Sequence, residues 1–179
     1  MGWKTLKEHF DIDHIVQIED NFVCIGSGFV SDLVSVNRTT FKVTVNSTFD
    51  SSVLRDKALA KLVSSSKEEI KALLEAEDEF SASIPVYTYR GGEIIKKYCE
   101  EPGYPNVTHD GELMYENNFS ESRDETISTA IKNAEAGINI QMQNIEDSKK
   151  ELSLLERRLN DRKKDLAKLK TMKLERLPH

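Results

Sequence analysis

The stretch GYPNVTHDGELMYENNF, residues 103–119, holds the side chains best suited to chemistry in this chain. A histidine and an aspartate stand next to each other in it, as a general base and its orienting carboxylate would. Partners in catalytic triads converge from distant segments, however, because adjacent side chains rarely face each other. Asp110-Gly111 is instead a good two-residue hairpin turn. We interpret residues 107–115 as a hairpin with an exposed tip that is recognition surface and not a catalytic site. The candidate partner-binding residues are His109, Asp110, Glu112 and Tyr115.

Neither the remaining histidines nor the cysteines form a pattern that would support catalysis or metal binding. The four histidines are His9, His14, His109 and His179. They are scattered without ligand spacing, so the sequence predicts no metal site and no cofactor. Cys24 and Cys99 lie in apolar patterns with no CxxC neighbour, which favours two buried free thiols over a disulfide. With no Gly-rich phosphate loop and no HExxH motif either, we do not expect an enzyme.

A second candidate site lies in the segment IPVYTYR, where aromatic residues alternate with smaller ones. Tyr87, Tyr89 and Arg90 could line a pocket for a nucleotide-like ligand. The same alternation is typical of a half-buried strand. The two interpretations lead to different classes of protein, a ligand-binding module or a structural strand, and both stay open.

Charge is distributed unevenly along the chain, whose formal net charge is −6. Residues 1–140 hold 14 Lys/Arg against 24 Asp/Glu, whereas residues 141–179 hold 11 against 7. The basic excess is densest in residues 157–176, which contain no aromatic side chain to stack on bases. We interpret it as the solvated outside of a helix with favourable cations near its C-terminus, and we expect no tight binding of nucleic acid.

The first part of the chain predicts an α+β body. Short, partly alternating runs (HIVQI, FVCIG, FVSDLVSV and FKVTV) are separated by turn residues, which favours an antiparallel meander. DSSVLRDKALAKLV is typical of one helix, and Ser66 with Glu69 forms a capping box for the next. A strand follows and stops at Gly91-Gly92. EIIKKYCEE is predicted to be one short helix, ended by Pro102-Gly103.

The last part of the chain predicts one long helix with a coiled-coil seam. The a positions of a strict seven-residue repeat are Ile131, Ile138, Ile145, Leu152, Leu159 and Leu166. Such a repeat implies supercoiling against another helix. A helix over residues 122–175 would span ~80 Å, more than twice the ~35 Å width expected of the body. The seam therefore predicts homo-oligomers, with a helical hairpin broken near Gly137 as the alternative. The number of strands and their orientation stay open.

These features give an α+β body over residues 1–120 and a long helix over residues 121–179 that mediates oligomerisation. The N-terminus has no apolar run of signal-peptide length, and no segment has the ~20 apolar residues that span a bilayer. We therefore expect a cytoplasmic protein without a membrane partner.

The strings IPVYTY and YPNVTHDGELMYENNF, followed by a long charged helix, resemble small uncharacterised accessory proteins encoded by phages and prophages. The resemblance covers about residues 12–135. It implies a protein of a virus or mobile element acting in the host cytoplasm, and it implies neither catalytic residues nor a cofactor. The function we expect is a non-enzymatic interaction protein that binds and inhibits or redirects a host protein, for example one of host defence. The alternatives are a module that sequesters a small nucleotide-type ligand and a coiled-coil scaffold or assembly chaperone.

Overall fold

The computed structural model of the chain describes residues 2–115 and 117–175, with side chains up to residue 172. It confirms the α+β class, with an N-terminal antiparallel sheet, several short helices and a long C-terminal helix. The chain divides into two compact units, Met1–Ala130 and Ile131–His179. Among the helices described, none combines the length and apolar character needed to cross a membrane.

A four-stranded antiparallel sheet forms the first part of the body, as the short apolar runs predict. Its strands are β1 (Ile15–Glu19), β2 (Phe22–Gly26), β3 (Val34–Asn37) and β4 (Val43–Val45), paired in that order. The third strand is shorter than predicted, because Ser27 closes a turn. Its backbone N–H donates to Val30 O (2.7 Å), and its Oγ accepts from Val30 N (3.2 Å). Phe29 therefore lies in a turn and outside the sheet.

Four short helices accompany this sheet: α1 (Trp3–Phe10), α2 (Asp50–Arg55), α3 (Lys57–Ser64) and α4 (Lys67–Glu75), with a 3₁₀ turn at Ser47–Phe49. The single helix predicted from DSSVLRDKALAKLV is two. Its second half begins anew because the Asp56 carboxylate accepts hydrogen bonds from Ala58 N (2.9 Å) and Leu59 N (3.0 Å), as an N-cap does. The predicted cap of α4 is present, with Ser66 Oγ accepting from Glu69 N at 3.1 Å.

The main hydrophobic core lies between this sheet and these helices. Helix α1 contributes residues spaced three and four apart, so that one face is buried. The sheet contributes valines and isoleucines from β1, β2 and β3. The largest fully buried side chains of this core are Leu6, Ile25, Leu59, Leu62 and Ile70.

A second sheet is a two-stranded hairpin, β5 (Ile84–Arg90) and β6 (Glu93–Cys99). The helix predicted from EIIKKYCEE is therefore wrong. Gly91 has φ +61°, which lets Gly91-Gly92 form a two-residue hairpin turn. Seven consecutive residue pairs then align, from Arg90↔Glu93 to Ile84↔Cys99. The pairing of β6 with β5 outweighs the helical propensity of residues 93–99, which have only three apolar side chains before Cys99. Val86, Cys99 and Met114 form a small core beside this hairpin.

The C-terminal helix α5 runs without interruption over Arg123–Glu175. Its predicted N-cap is present, because Ser122 Oγ accepts from Glu125 N at 3.3 Å. The reciprocal half of the capping box is absent, because the Glu125 carboxylate accepts from Ser120 Oγ at 2.8 Å and Ser122 N donates to Ser120 Oγ. The alternative of a helical hairpin broken near Gly137 is wrong, since this glycine lies inside continuous helix.

Candidate partner-binding site

The hairpin of residues 107–115 is present, although its turn differs from the one predicted. Thr108 N donates to Glu112 O (2.9 Å) and Gly111 N donates to Thr108 O (2.8 Å), so the loop has three residues, 109–111, in place of two. Gly111 has φ +88°, the left-handed conformation that closes such loops. Val107 and Leu113 form an antiparallel bridge below the turn.

Backbone hydrogen bonds connect this hairpin to both sheets of the body. On one side Ile18 N of β1 donates to Gly111 O at 2.8 Å. On the other, His109 N donates to Tyr98 O of β6 at 2.8 Å, and Thr108 bridges Cys99. The hairpin therefore joins the two sheets and is rigidly placed.

His109 is half-buried, and the expectation that it is an exposed tip residue is wrong. Its ring stacks on the Phe80 ring, with centroids 3.8 Å apart and planes 8° apart. Its Nε2 lies 3.1 Å from Ala82 O, and its carbonyl accepts from Trp3 Nε1 at 3.0 Å. The contacts come from segments far apart in sequence. His109 thus connects the segment that contains Phe80 and Ala82 to the hairpin.

Helix α1 holds the same segment from its other side. Lys4 Nζ donates to Glu79 O (2.6 Å) and Thr5 N donates to Asp78 Oδ1 (2.8 Å). Lys4 Nζ also pairs with Glu100 Oε1 at 2.8 Å. Burial alone would raise the pKa of Glu100, but hydrogen bonds from Lys4 and Ser81 outweigh it and hold the pKa at about 2. The carboxylate of Glu100 is therefore a fixed charge of the body.

Asp110 and Glu112 share one cation, Lys97 of β6. Lys97 Nζ lies 2.6 Å from Asp110 Oδ2 and also contacts Glu112 Oε2. Its side chain is only 15% exposed. Burial lowers the pKa of Lys97, yet the two carboxylates raise it overall. Thr108 Oγ1 donates to Asp110 as well. The Asp110 carboxylate thus accepts hydrogen bonds from Lys97 and Thr108, whereas His109 Nε2 lies against the carbonyl of Ala82.

Two stacked tyrosines and a phenylalanine that follows a glycine packed on one of them form what we call the aromatic patch: Phe29, Tyr104 and Tyr115. Tyr104 and Tyr115 stack with centroids 6.1 Å apart and are each about two-fifths exposed. The Tyr104 hydroxyl lies against Gly28, where an added Cβ would come within 1.7 Å of it. Phe29, the next residue, is 99% exposed. Exposed aromatic clusters on a folded body are typical of protein-binding surfaces.

The residues proposed for a ligand pocket lie on one strand, β5. Tyr87 and Tyr89 are half-buried and share the face opposite to the buried Val86 and Thr88. Arg90 is exposed, with its NH2 group 4.0 Å from Glu112 Oε1. A body cavity of about 430 Å³ is lined by other residues, among them Lys4, Glu8, Glu100 and Pro105. A ligand pocket at the two tyrosines stays a prediction.

Both cysteines are free and buried, as predicted. Burial raises the pKa of the Cys24 thiol to about 12 and also raises that of Cys99. Within residues 2–115 and 117–175, His, Cys, Asp and Glu do not gather in a group of three or more that could hold a metal ion. His179 lies outside the described residues.

The a positions of helix α5 are all exposed to solvent, from 53% to 58%: Ile131, Ile138, Ile145, Leu152, Leu159 and Leu166. Leu155 and Leu169, at d positions, are 52% and 63% exposed. We call the face of a and d positions that these eight side chains mark the seam. Between Ile145 and Leu152 the small side chain of Ser148 leaves a shallow, open groove of about 440 Å³ on the helix surface. The basic stretch of residues 157–175 follows on the same helix, and Arg176 lies outside the described residues.

Sequence reasoning missed four residues of the body site: Phe29, Phe80, Lys97 and Tyr104. Phe29 had a signal in the sequence, since a phenylalanine after Ser-Gly stands where a turn normally carries polar residues. Lys97 was hidden by the wrong assignment of its segment to a helix. Phe80 and Tyr104 are brought to the hairpin only by the fold.

Comparison of the chain with protein-family models, with curated proteins and with solved structures finds no match in any of the three.

Proposed function

We propose that the chain is a homo-oligomeric, non-enzymatic interaction protein. In this proposal, helix α5 joins copies of the chain through the seam. The body presents the aromatic patch and the neighbouring carboxylates of the hairpin to another protein. Binding through the body inhibits or redirects the partner, and oligomerisation strengthens it by presenting several copies of the body at once.

The observation that carries the proposal is the exposure of the seam. Eight Ile and Leu side chains at a and d positions each leave half or more of their surface in water. Full burial of one such side chain stabilises by about 1.5–3 kcal/mol. A second helix with the same spacing has the knobs and holes to bury them, and a copy of this chain supplies that helix. Monomers rarely expose an apolar seam of this length.

The body supports a protein partner through its combination of aromatic and acidic groups. Phe29 extends from a turn that Ser27 fixes, so its side chain is available to a partner without rearrangement. Tyr115, a predicted partner-binding residue, stacks with Tyr104 beside it. Aromatic side chains are enriched among residues that dominate binding energy. Asp110 is 60% exposed in spite of its pairing with Lys97, so it remains accessible as an acceptor.

The resemblance to phage- and prophage-encoded accessory proteins favours a host protein as the partner, and a defence protein in particular. Residues 1–130 hold 13 Lys/Arg against 23 Asp/Glu. The acidic body favours a partner whose binding surface is basic, because complementary charge speeds encounter and selects the partner.

Light scattering on three forms of the chain tests this proposal. Wild type is expected to have twice the chain mass of 20.4 kDa or more. Ile145→Asp puts a charge in the seam and is expected to reduce the mass to that of one chain. Ile140→Asp is the matched control, because Ile140 is similarly exposed (61% against 54%) but lies outside the seam. A single-chain mass for wild type, or equal loss in both variants, would contradict the proposal.

A further inference from the structure

We propose that the partner of the seam is a second copy running antiparallel, with a two-fold axis at Lys150 of helix α5. The proposal rests on the proposed function, and it specifies the orientation and register of that assembly. It draws on three independent features of the helix: side-chain volumes, one polar seam position, and charge.

Side-chain volumes favour the antiparallel orientation. The a positions are all Ile or Leu, whereas the d positions Ala134, Gln141 and Ser148 are small or polar. In a parallel pair each residue meets its own copy, so between residues 131 and 152 layers of two large side chains alternate with layers of two small or polar ones. In an antiparallel pair every layer joins an a to a d residue. In the register given below, Ser148, Gln141 and Ala134 then each face a leucine of the partner, so no layer holds two small or polar side chains.

The shallow groove at Ser148 leaves room for such a layer. It lies between Ile145 and Leu152 and is bounded by Gln141 and Lys149. Antiparallel pairing about Lys150 places Leu152 opposite the partner's Ser148. By symmetry, the partner's Leu152 enters the groove at Ser148. Two reciprocal knob-into-hole contacts therefore form on either side of the axis.

Arg162, at a d position, is the second feature. A parallel pair would place its guanidinium against that of the partner's Arg162 within the seam, and like charges facing each other destabilise. The antiparallel register places it opposite the partner's Ile138. The apolar stem of Arg162 can cover that isoleucine while the charged end reaches water. The partner's Glu135, which flanks the seam one turn away, is in position to pair with it.

Charge along the helix is the third feature. Residues 157–175 hold eight Lys/Arg against three Asp/Glu, whereas residues 123–143 hold two against three. A parallel pair sets the two basic ends side by side, and it also brings the two acidic bodies to the same end of the coil. An antiparallel pair sets each basic end beside a weakly acidic segment. The repulsion avoided is short-range, because salt screens charges beyond ~8 Å at physiological ionic strength.

The register follows from helix length and the heptad. In an antiparallel pair the numbers of two facing residues always add up to the same sum. An a position faces a d position only for certain sums, and these are spaced by seven. The centre of Arg123–Glu175 favours a sum near 298, since that overlaps the helices most. The nearest sum that pairs a with d positions is 300. It pairs Ile131 with the partner's Leu169 and Ile145 with the partner's Leu155, and it sets the axis at Lys150.

Spin-label distances on the full chain test orientation and register together. Two variants, Ala136→Cys and Lys164→Cys, each carry one spin label per chain. Both positions lie on the side of the helix away from the seam. In the proposed dimer the two copies of each label are about 42 Å apart along the axis, from 28 residues at 1.5 Å each. Labelled wild type is the background control, since Cys24 and Cys99 are 5% and 0% exposed. An equimolar mixture of the two variants should add a short distance of roughly 20 Å, two helix diameters, between unlike labels.

The outcomes separate the two proposals. Long distances between the two copies of the label in both variants support the antiparallel orientation. In any antiparallel register these two distances sum to about 84 Å along the axis. Unequal distances with that sum would overturn the axis at Lys150. Short and equal distances in both variants would show a parallel coil, overturning this inference while leaving oligomerisation intact. Absence of dipolar coupling in both would show a monomer and overturn the proposed function itself.

Discussion

The ring of His109 lies flat on the ring of Phe80, with centroids 3.8 Å apart, and so connects the hairpin of residues 107–115 to the segment that leads into strand β5. The carbonyl of the same histidine accepts from Trp3 of helix α1. One residue thus joins three segments of the body. The residue that the sequence most readily suggests for chemistry is part of the framework that positions the proposed binding surface.

His109→Ala should therefore lower the free energy of unfolding by about 1–2 kcal/mol, from the lost stacking and packing. Urea denaturation measures this change. His9→Ala is the control, because His9 is 46% exposed and its Nε2 lies 3.1 Å from Glu69 Oε1. Equal, small effects of the two substitutions would show that the stacking on Phe80 contributes little.

Gly111→Ala should destabilise more than Gly103→Ala. Both glycines have a φ near +90°, so both substitutions strain the backbone by about 1 kcal/mol. Only at Gly111 does the new Cβ meet a neighbour, the Ile18 side chain at 2.5 Å. We expect a total loss of about 2–4 kcal/mol at Gly111 and about 1 kcal/mol at Gly103. The same loss at both sites in chemical denaturation would contradict the close packing of the hairpin on β1.

The ion pair of Lys4 and Glu100 should make stability depend on acid pH. The pKa of Glu100 is about 2 in the folded chain, against an ordinary value of 4.5. The folded state therefore binds its proton less readily than the unfolded chain does. The stabilisation is complete above pH ~4.5 and is lost as the pH falls towards 2.

Thermal melts of wild type and Glu100→Gln measure this contribution. The gap in Tm should be largest near pH 6 and should close as the pH approaches 2. Glu75→Gln is the control, because its pair with Lys71 is exposed and 3.8 Å long. That variant should differ little from wild type throughout. A gap for Glu100→Gln that stays constant from pH 6 to 2.5 would refute the assigned interaction.

Substitution in the aromatic patch should separate binding from folding. Phe29→Ser removes a side chain that is 99% exposed, so the free energy of unfolding from thermal melts should change by no more than about 0.5 kcal/mol. Leu54→Ser, at another exposed apolar residue (68%), is the control. In quantitative pull-downs, partner proteins retained by wild type and by Leu54→Ser should be depleted with Phe29→Ser. Equal retention by all three forms would exclude the patch as the binding surface.

Much of the fold could be predicted, because local patterns determine it. Alternating β-branched runs with short turns gave the meander, and the capping boxes at Ser66 and Ser122 placed the starts of two helices. The β6 segment was mistaken for a helix because its pairing with β5 depends on a Gly-Gly turn and on a partner strand, not on its own periodicity. Asp56 divided a predicted helix because its side chain caps a new one.

The candidate site was predictable only in part. The position of the hairpin followed from Asp110-Gly111, but the burial of His109 depends on Trp3 and Phe80, which are 106 and 29 residues away in sequence. No local pattern encodes such contacts. The seam differs in this respect, because a heptad repeat is itself a local pattern and marks the same face of a helix wherever it lies.

Sedimentation equilibrium of the wild-type chain over a dilution series decides whether helix α5 joins copies of the chain. If the seam joins two copies, the mass at micromolar concentration is twice 20.4 kDa and falls only on dilution. A mass of 20.4 kDa at every concentration would mean that the exposed seam joins no second copy and that the chain is a monomer.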